Sequence, residues 1–279
     1  MEKKILTVQD VSCVGQCSTT VALPILSACG LETAILPTGV LSTHTADFVG
    51  FTVLSMTGEM GKIMKHWKKE GITFDGVYTG YILPDQVALI RELCSDYNKG
   101  LKIIDPVLGD NGKFYFGFDE KFAKEMLLLC NNADVILPNL SEAAFLLGEK
   151  PVLSGYDEKF IEKIVKRLSD KTKAKNVVLT GVSFDESLLG VAVYSQKERS
   201  VNYYFAERIP QNIHGTGDIY SSAFVGAYLN GKTLFESAKI AVDYTVRCIK
   251  STYPEYQKHP YGVFFERQLP SLIDAIFKK

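Results

Sequence analysis

His214-Gly215-Thr216-Gly217-Asp218-Ile219-Tyr220-Ser221-Ser222-Ala223 sets two glycines around a threonine, then an acid, then a run of small and apolar residues. Glycine takes backbone conformations that other residues avoid and lets a ligand come close. As a turn that opens a helix, the stretch would aim the main-chain N–H groups of Gly215, Thr216 and Gly217 into one small concavity. A helix N-terminus carries partial positive charge and unpaired donors, which suits a phosphate. Asp218 conflicts with that, because a carboxylate repels phosphate. The conflict resolves if the acid is aimed at a hydroxyl that attacks the phosphate. Taken alone, the tetrapeptide is better explained as an ordinary helix start, where an acid in the first turn offsets the macrodipole. The surrounding chain has to decide.

Upstream, Lys4 to Val8 reads as a buried strand that ends at polar Gln9-Asp10-Val11-Ser12. Ser18-Thr19-Thr20 caps a helix that stops at Cys29-Gly30. A strand over Thr33 to Pro37 precedes a polar segment, Thr38 to Thr45. Thr57 to Glu70 is an amphipathic helix with Met60, Ile63, Met64 and Trp67 on one stripe. Strands are expected over Asp75 to Tyr81, Leu101 to Asp105, Asp134 to Pro138 and Asn176 to Leu179. Helices are expected over Pro84 to Tyr97, Asp119 to Cys130, from Ser141, and over Asp157 to Leu168. Gly190 to Ser195 and Val201 to Phe205 follow without a helix between them, which predicts an antiparallel hairpin. Helices over Asp218 to Leu229, Phe235 to Cys248 and Ser271 to Phe277 complete the chain. The small face Ser222, Ala223, Gly226, Ala227 lets the first of these pack close to a sheet. Strands alternating with helices predict a three-layer α/β/α fold around a mostly parallel sheet. No linker or repeat interrupts the 279 residues, so one domain over 1–279 without a separate lid is expected.

The composition, 46% hydrophobic and 23% charged, is that of a soluble globular chain. A formal net charge of −1 gives no electrostatic case for nucleic acid or an anionic membrane as partner. No stretch reaches the length of a membrane span. The N-terminal apolar run is too short for a signal peptide, so a cytoplasmic location is expected. The six cysteines have no framework or zinc spacing and read as reduced thiols. The four histidines, His44, His66, His214 and His259, are too dispersed for a histidine metal site.

Strand after strand ends in polar residues: Asp10 and Ser12, Thr38 to Thr45, Thr79-Gly80-Tyr81, Asp105 and Asp110, Asn139 and Glu142, Thr180, and Gly215 to Asp218. In a parallel sheet these ends share one edge, where ligands bind. Any one of them is explained by loops being polar. Together they supply carboxylates for a metal, glycine amides for phosphate and hydroxyls for a small polar substrate, the parts needed for phosphoryl transfer. No P-loop, protein-kinase signature or Gly-x-Ser-x-Gly elbow is present.

Gly215-Thr216-Gly217-Asp218 with its small-residue helix resembles the signature of the ribokinase-like superfamily of ATP-dependent small-molecule kinases. Asp105-Pro106-Val107-Leu108-Gly109-Asp110, Pro138-Asn139-Leu140-Ser141-Glu142-Ala143 and Ser42-Thr43-His44-Thr45 resemble its vitamin-kinase branch, in particular the bacterial pyridoxal/pyridoxamine kinases. The resemblance implies that Asp218 is the base that deprotonates a hydroxymethyl group attacking the γ-phosphate. Gly215, Thr216 and Gly217 would then form the anion hole. Asp105, Asp110 and Glu142 would surround ATP phosphates and Mg²⁺, with Asp105 and Glu142 nearest the metal. Asn139 and Thr180 would contact the nucleotide, and Tyr115 would cover it. Ser12, His44, Thr45 and Tyr81 would line the acceptor pocket. The resemblance further implies a homodimer and leaves a requirement for a monovalent cation such as K⁺ open. Hydroxymethylpyrimidine, also a flat heterocycle with a hydroxymethyl group, is the alternative acceptor. A non-catalytic nucleotide-binding protein is the alternative of another class.

Overall fold

The computed structural model describes residues 3–45, 48–97, 100–210, 213–258 and 261–278; His259 lies outside them. The first half runs β1 (Lys4–Ser12), α1 (Thr19–Ala28), β2 (Glu32–Leu41), β3 (Val53–Ser55), α2 (Thr57–Lys69), β4 (Gly76–Thr79), α3 (Val87–Glu92), β5 (Leu101–Ile104), β6 (Gly109–Asp110) and β7 (Lys113–Phe114). Then follow α4 (Glu120–Leu129), β8 (Val135–Ile136), α5 (Leu140–Leu147), α6 (Glu158–Thr172), β9 (Asn176–Val182), β10 (Leu188–Ser195), β11 (Ser200–Glu207), α7 (Thr216–Leu229), α8 (Leu234–Thr252) and α9 (Leu269–Phe277).

The main sheet has the order β11-β10-β9-β8-β5-β4-β1-β2-β3. From β2 to β9 its neighbours pair in parallel, whereas β3, β10 and β11 each join antiparallel. Both faces are covered, as the near-continuous apolar character of β1, β4 and β8 requires. Leu6, Val8, Val77 and Ile104 meet α2 to α6 on one face. Ile5, Tyr78, Ile103 and Val135 meet α1, α7, α8 and α9 on the other. Helix starts follow local chemistry: Asp119 and Asp157 accept from Phe122 N (2.8 Å) and Phe160 N (2.9 Å).

The three-layer fold and the late hairpin match the sequence reading, with differences at element ends. β1 continues to Ser12 instead of ending at Val8, because Gln9, Val11 and Ser12 still pair with Pro37, Val40 and Leu41 of β2, and buried Gln9 donates to Thr7 Oγ1 at 2.8 Å. β2 likewise runs to Leu41. β3 has no counterpart in the sequence reading, since its three residues are all exposed and carry no alternation. The helix expected from Pro84 to Tyr97 is divided into a 3₁₀ turn (Pro84–Gln86), α3 and a π turn (Leu93–Tyr97). Among the described residues no helix is long and apolar enough to cross a membrane. All six cysteines are free thiols.

Candidate active site

The chain leaves β1 through α1 to β2, then returns through α2 to β4 on the other side of β1. The strand order therefore reverses at β1, and in open α/β sheets ligands bind beyond the carboxyl ends of the strands at such a switch point, here β1 and β4. Register keeps those ends level: Val8 pairs with Thr79, and Thr79 with Ile104. Asp10 and Tyr81 lie two residues beyond Val8 and Thr79, and Asp105 one beyond Ile104.

α7 lies against α1, and its first turn meets the start of α1, where Asp218 accepts from Ser18 N. The small face read from the sequence is buried, and it serves this helix contact as well as the sheet: a Cβ on Gly226 would collide with Cys29 Sγ. Gly215 caps α7 at φ 84°, ψ −3°, and a Cβ there would strike the carbonyl oxygen of Gln16. Gly217 differs, because no atom lies within 4 Å of the place its Cβ would occupy. Open space thus sits above the first turn, where main-chain N–H groups have no partner within the helix.

Asp218, in that turn, accepts from Ser18 N at 2.9 Å. Burial pushes its carboxyl up to about 6; the Ser18 N–H pulls it down, and the charge of Asp10 adds to the rise. Asp10 is 3% exposed and is itself held above the ordinary carboxylate range by burial, against a bond from Ser12 Oγ at 2.9 Å. On the other side of Asp218, burial raises Asp105, opposed by Ser221 Oγ donating at 2.6 Å and reinforced by Asp218. Burial and then Asp105 raise Glu142. Charge thus links the acids in a row, Asp10 to Asp218 to Asp105 to Glu142, with exposed Asp110 acting on Glu142 at its end. The groups that set the pKa values of Asp10, Asp218 and Asp105 include no lysine or arginine.

Other residues singled out from the sequence fall around this row. Both oxygens of Glu142 are engaged, accepting from Leu108 N (3.1 Å) and Asn139 N (2.8 Å). Asn139 in turn caps α5 at Glu142 N (3.0 Å) and donates Nδ2 to Gly109 O (2.9 Å). These two residues first fasten the 105–110 loop to α5. Gly112 N bonds Ser141 Oγ at 2.9 Å, tying the β6–β7 hairpin to the same helix. The hairpin runs into Tyr115, a residue 39% exposed whose phenol is raised by desolvation and by the charges of Glu142, Asp110, Asp218 and Asp105. Thr180 is bridged to Asn139 at the end of β9.

On the acceptor side, Ser12 is 1% exposed and stands behind Asp10 as its hydrogen-bond donor. Tyr81 is half-buried, stacks on Phe118 at 5.4 Å, and feels the charge of Asp10. His44 is buried against Gly15 and Phe48, with its ring 6.0 Å from that of His214; Thr45 follows it, half-buried. Sequence reasoning placed Ser18 in the cap of α1, but its side chain makes no cap hydrogen bond and its N–H goes to Asp218 instead; Cys17 and Ser221 had no assigned role. Ser221 carried a usable signal, since it lies three residues after Asp218 on one helix face.

The family described as Phosphomethylpyrimidine kinase matches residues 63–261. The chain is similar to the pyridoxal kinase of Dictyostelium discoideum, 27% identical over 245 residues that cover 81% of this chain and 78% of the relative. It is similar in structure to a protein of Bacteroides thetaiotaomicron VPI-5482, provisionally described as a phosphomethylpyrimidine kinase and crystallised with pyridoxal. The TM-score is 0.92 and the identity 34%, covering 98% of this chain and 96% of that one. The pyridoxal kinase of Lactobacillus plantarum gives a TM-score of 0.89 at 29% identity, covering 97% and 96%. The family match spans more than half of the chain and the Bacteroides relative nearly all of it, so the chain belongs to the phosphomethylpyrimidine kinase family.

Proposed function

We propose that this chain transfers the γ-phosphoryl group of ATP to the hydroxymethyl group of a B6 vitamer, giving the 5′-phosphate. The observation that carries the reading is Asp218 in the first turn of α7, beside the open space over Gly217. In that place Asp218 takes the proton of the incoming hydroxyl while the N–H groups of Gly215, Thr216 and Gly217 face the charge on the phosphoryl group. Pyridoxal in the Bacteroides relative, and the names of the other two, favour this acceptor over hydroxymethylpyrimidine. The family's own description keeps the pyrimidine as second reading.

Asp105 and Glu142 are buried, raised by burial and by one another or by Asp218, which fits a divalent cation nearby. Among the described residues no three His, Cys, Asp or Glu side chains converge to hold a metal alone. Asp105 and, through water, Glu142 and Asp110 would therefore hold Mg²⁺ together with nucleotide phosphates. When bound, Mg²⁺ neutralises charge on the phosphates. Asp105 is kept in place by Ser221, and the β6–β7 hairpin with Tyr115 excludes water from the phosphates.

We read residues 1–279 as one kinase domain acting in the cytoplasm as a homodimer. Exposed Val49, Val53 and Leu54 at the β3 edge offer apolar surface for a second copy. The test is ADP release and product identity with Mg·ATP and pyridoxal, pyridoxamine, pyridoxine or hydroxymethylpyrimidine, with and without K⁺ and after chelation of Mg²⁺. A higher kcat/KM for the vitamers is expected. Preference for the pyrimidine selects the second reading, and ATP binding without any product rejects both. Sedimentation at micromolar concentration tests the dimer.

A further inference from the structure

Asp10 is the end of the acid row that no phosphate or metal is expected to reach. It lies on β1 where the register against β2 shifts between Gln9 and Val11, an irregularity of the kind that re-aims a side chain beside a site. It is 3% exposed. Ser12 on its own strand and Ser18 at the start of α1 give it hydroxyl hydrogen bonds. Cys17, Tyr81 and Asp218 each feel its charge, so it lies near the loop before α1, the end of β4 and the first turn of α7. A carboxyl buried this deeply beside a second acid, with no cationic side chain setting its pKa, is costly to ionise unless a positive group arrives.

We propose that Asp10 selects the acceptor by pairing with a protonated ring nitrogen, so that the site takes a pyridine alcohol in preference to a pyrimidine alcohol. The inference rests on the reading that the chain is a small-alcohol kinase with Asp218 as base. A pyridine nitrogen is a far stronger base than the nitrogens of a pyrimidine, and a carboxylate is its familiar partner in protein sites. The pair also acts on Asp218. A cation on Asp10 offsets the negative charge that helps to hold Asp218 up, so the arriving acceptor favours the ionised form of the base that deprotonates it. Recognition at one end of the ring is thereby coupled to chemistry at the hydroxymethyl group.

The test compares pyridoxine with its carbocyclic analogue, in which C–H replaces the ring nitrogen, in wild type and in Asp10→Asn. Wild type is expected to favour pyridoxine by about 100-fold in kcat/KM, the size of a lost buried charge pair. Asp10→Asn should remove most of that preference, chiefly by raising KM for pyridoxine, so that pyridoxine loses far more than the analogue does. Equal losses for both alcohols in Asp10→Asn would mean a structural role and overturn the proposal. Should the variant not fold, the wild-type ratio still decides, because equal kcat/KM for the two alcohols overturns it. Turnover without discrimination overturns this inference alone, whereas no turnover of any alcohol overturns the kinase reading and this inference with it.

Discussion

The main-chain N–H of Ser18 donates to Asp218 Oδ2 at 2.9 Å, joining residues 200 positions apart. Ser18 makes this bond from φ 51°, ψ −131°, a left-handed conformation that favours glycine. The strain is tolerated at the point where the β1–α1 loop meets the base. Ser18→Gly keeps the N–H and relaxes the backbone, so kcat should stay within about twofold of wild type. A tenfold loss in steady-state kcat would transfer the role to the serine side chain.

Asp218 must be ionised to accept a proton, and burial sets its pKa at about 6. The kcat/KM profile should therefore fall tenfold per pH unit on the acid side of about 6 and level off above it. Asp218→Asn should lower kcat by about 10²- to 10⁴-fold while nucleotide binding, followed by calorimetry, persists. A flat profile from pH 5 to 8 would contradict the assignment.

The same shift has a cost in stability. The folded pKa lies above the unfolded one, so the contribution of Asp218 is complete below about pH 4 and is lost as pH rises through about 6. Asp218→Asn removes that penalty and can still accept from Ser18. It should raise Tm at pH 8, by at most about 3 kcal/mol in stability, and change it little at pH 4.5. Thermal melts at the two pH values test the sign.

Gly215 and Gly217 should fail in different ways when replaced by alanine. At Gly215 both the positive φ and the collision with Gln16 oppose a Cβ, so Gly215→Ala should lower Tm by several degrees. At Gly217 the added methyl meets no protein atom and enters the space above the first turn. Gly217→Ala should leave Tm within about 1–2 °C and reduce kcat/KM by at least about tenfold. Melting curves beside kinetics separate the two.

Ser221→Ala leaves the buried Asp105 without its 2.6 Å donor and raises that carboxyl further. A hydrogen bond to a charged group is worth about 1.5–3 kcal/mol, so affinity for Mg·ATP should weaken about tenfold or more. The loss should shrink as pH rises and Asp105 ionises regardless, which titration at pH 7 and pH 9 would show.

The parallel sheet was legible because its strands are buried on both faces and read as apolar runs between helices of helical period. That a helix opens at Gly215 to Asp218 was legible from the glycine and the acid, but the tetrapeptide alone reads as an ordinary helix start, and only the polar ends of the other strands gave it a further meaning. The reading weakened where polar residues are buried. Gln9 and Asp10 looked like loop, yet they continue β1, and two-residue periodicity puts Ser12 behind Asp10. Asn139 and Glu142 were read as nucleotide and metal groups; Asn-x-x-Glu before an apolar run is also a capping box, which both residues make, while Glu142 Oε1 and Asn139 Nδ2 fasten the 105–110 loop. β3 offered no pattern at all, since pairing along one edge needs only backbone.

The close seat of Gly226 on Cys29 makes α7 behave as a lever. Position 226 is eight residues beyond Asp218, about 12 Å along a stiff rod. A bulkier side chain at this fulcrum would tilt the rod and swing the base away from its target. Damage there would be felt as lost turnover in a protein whose pocket residues are all unaltered.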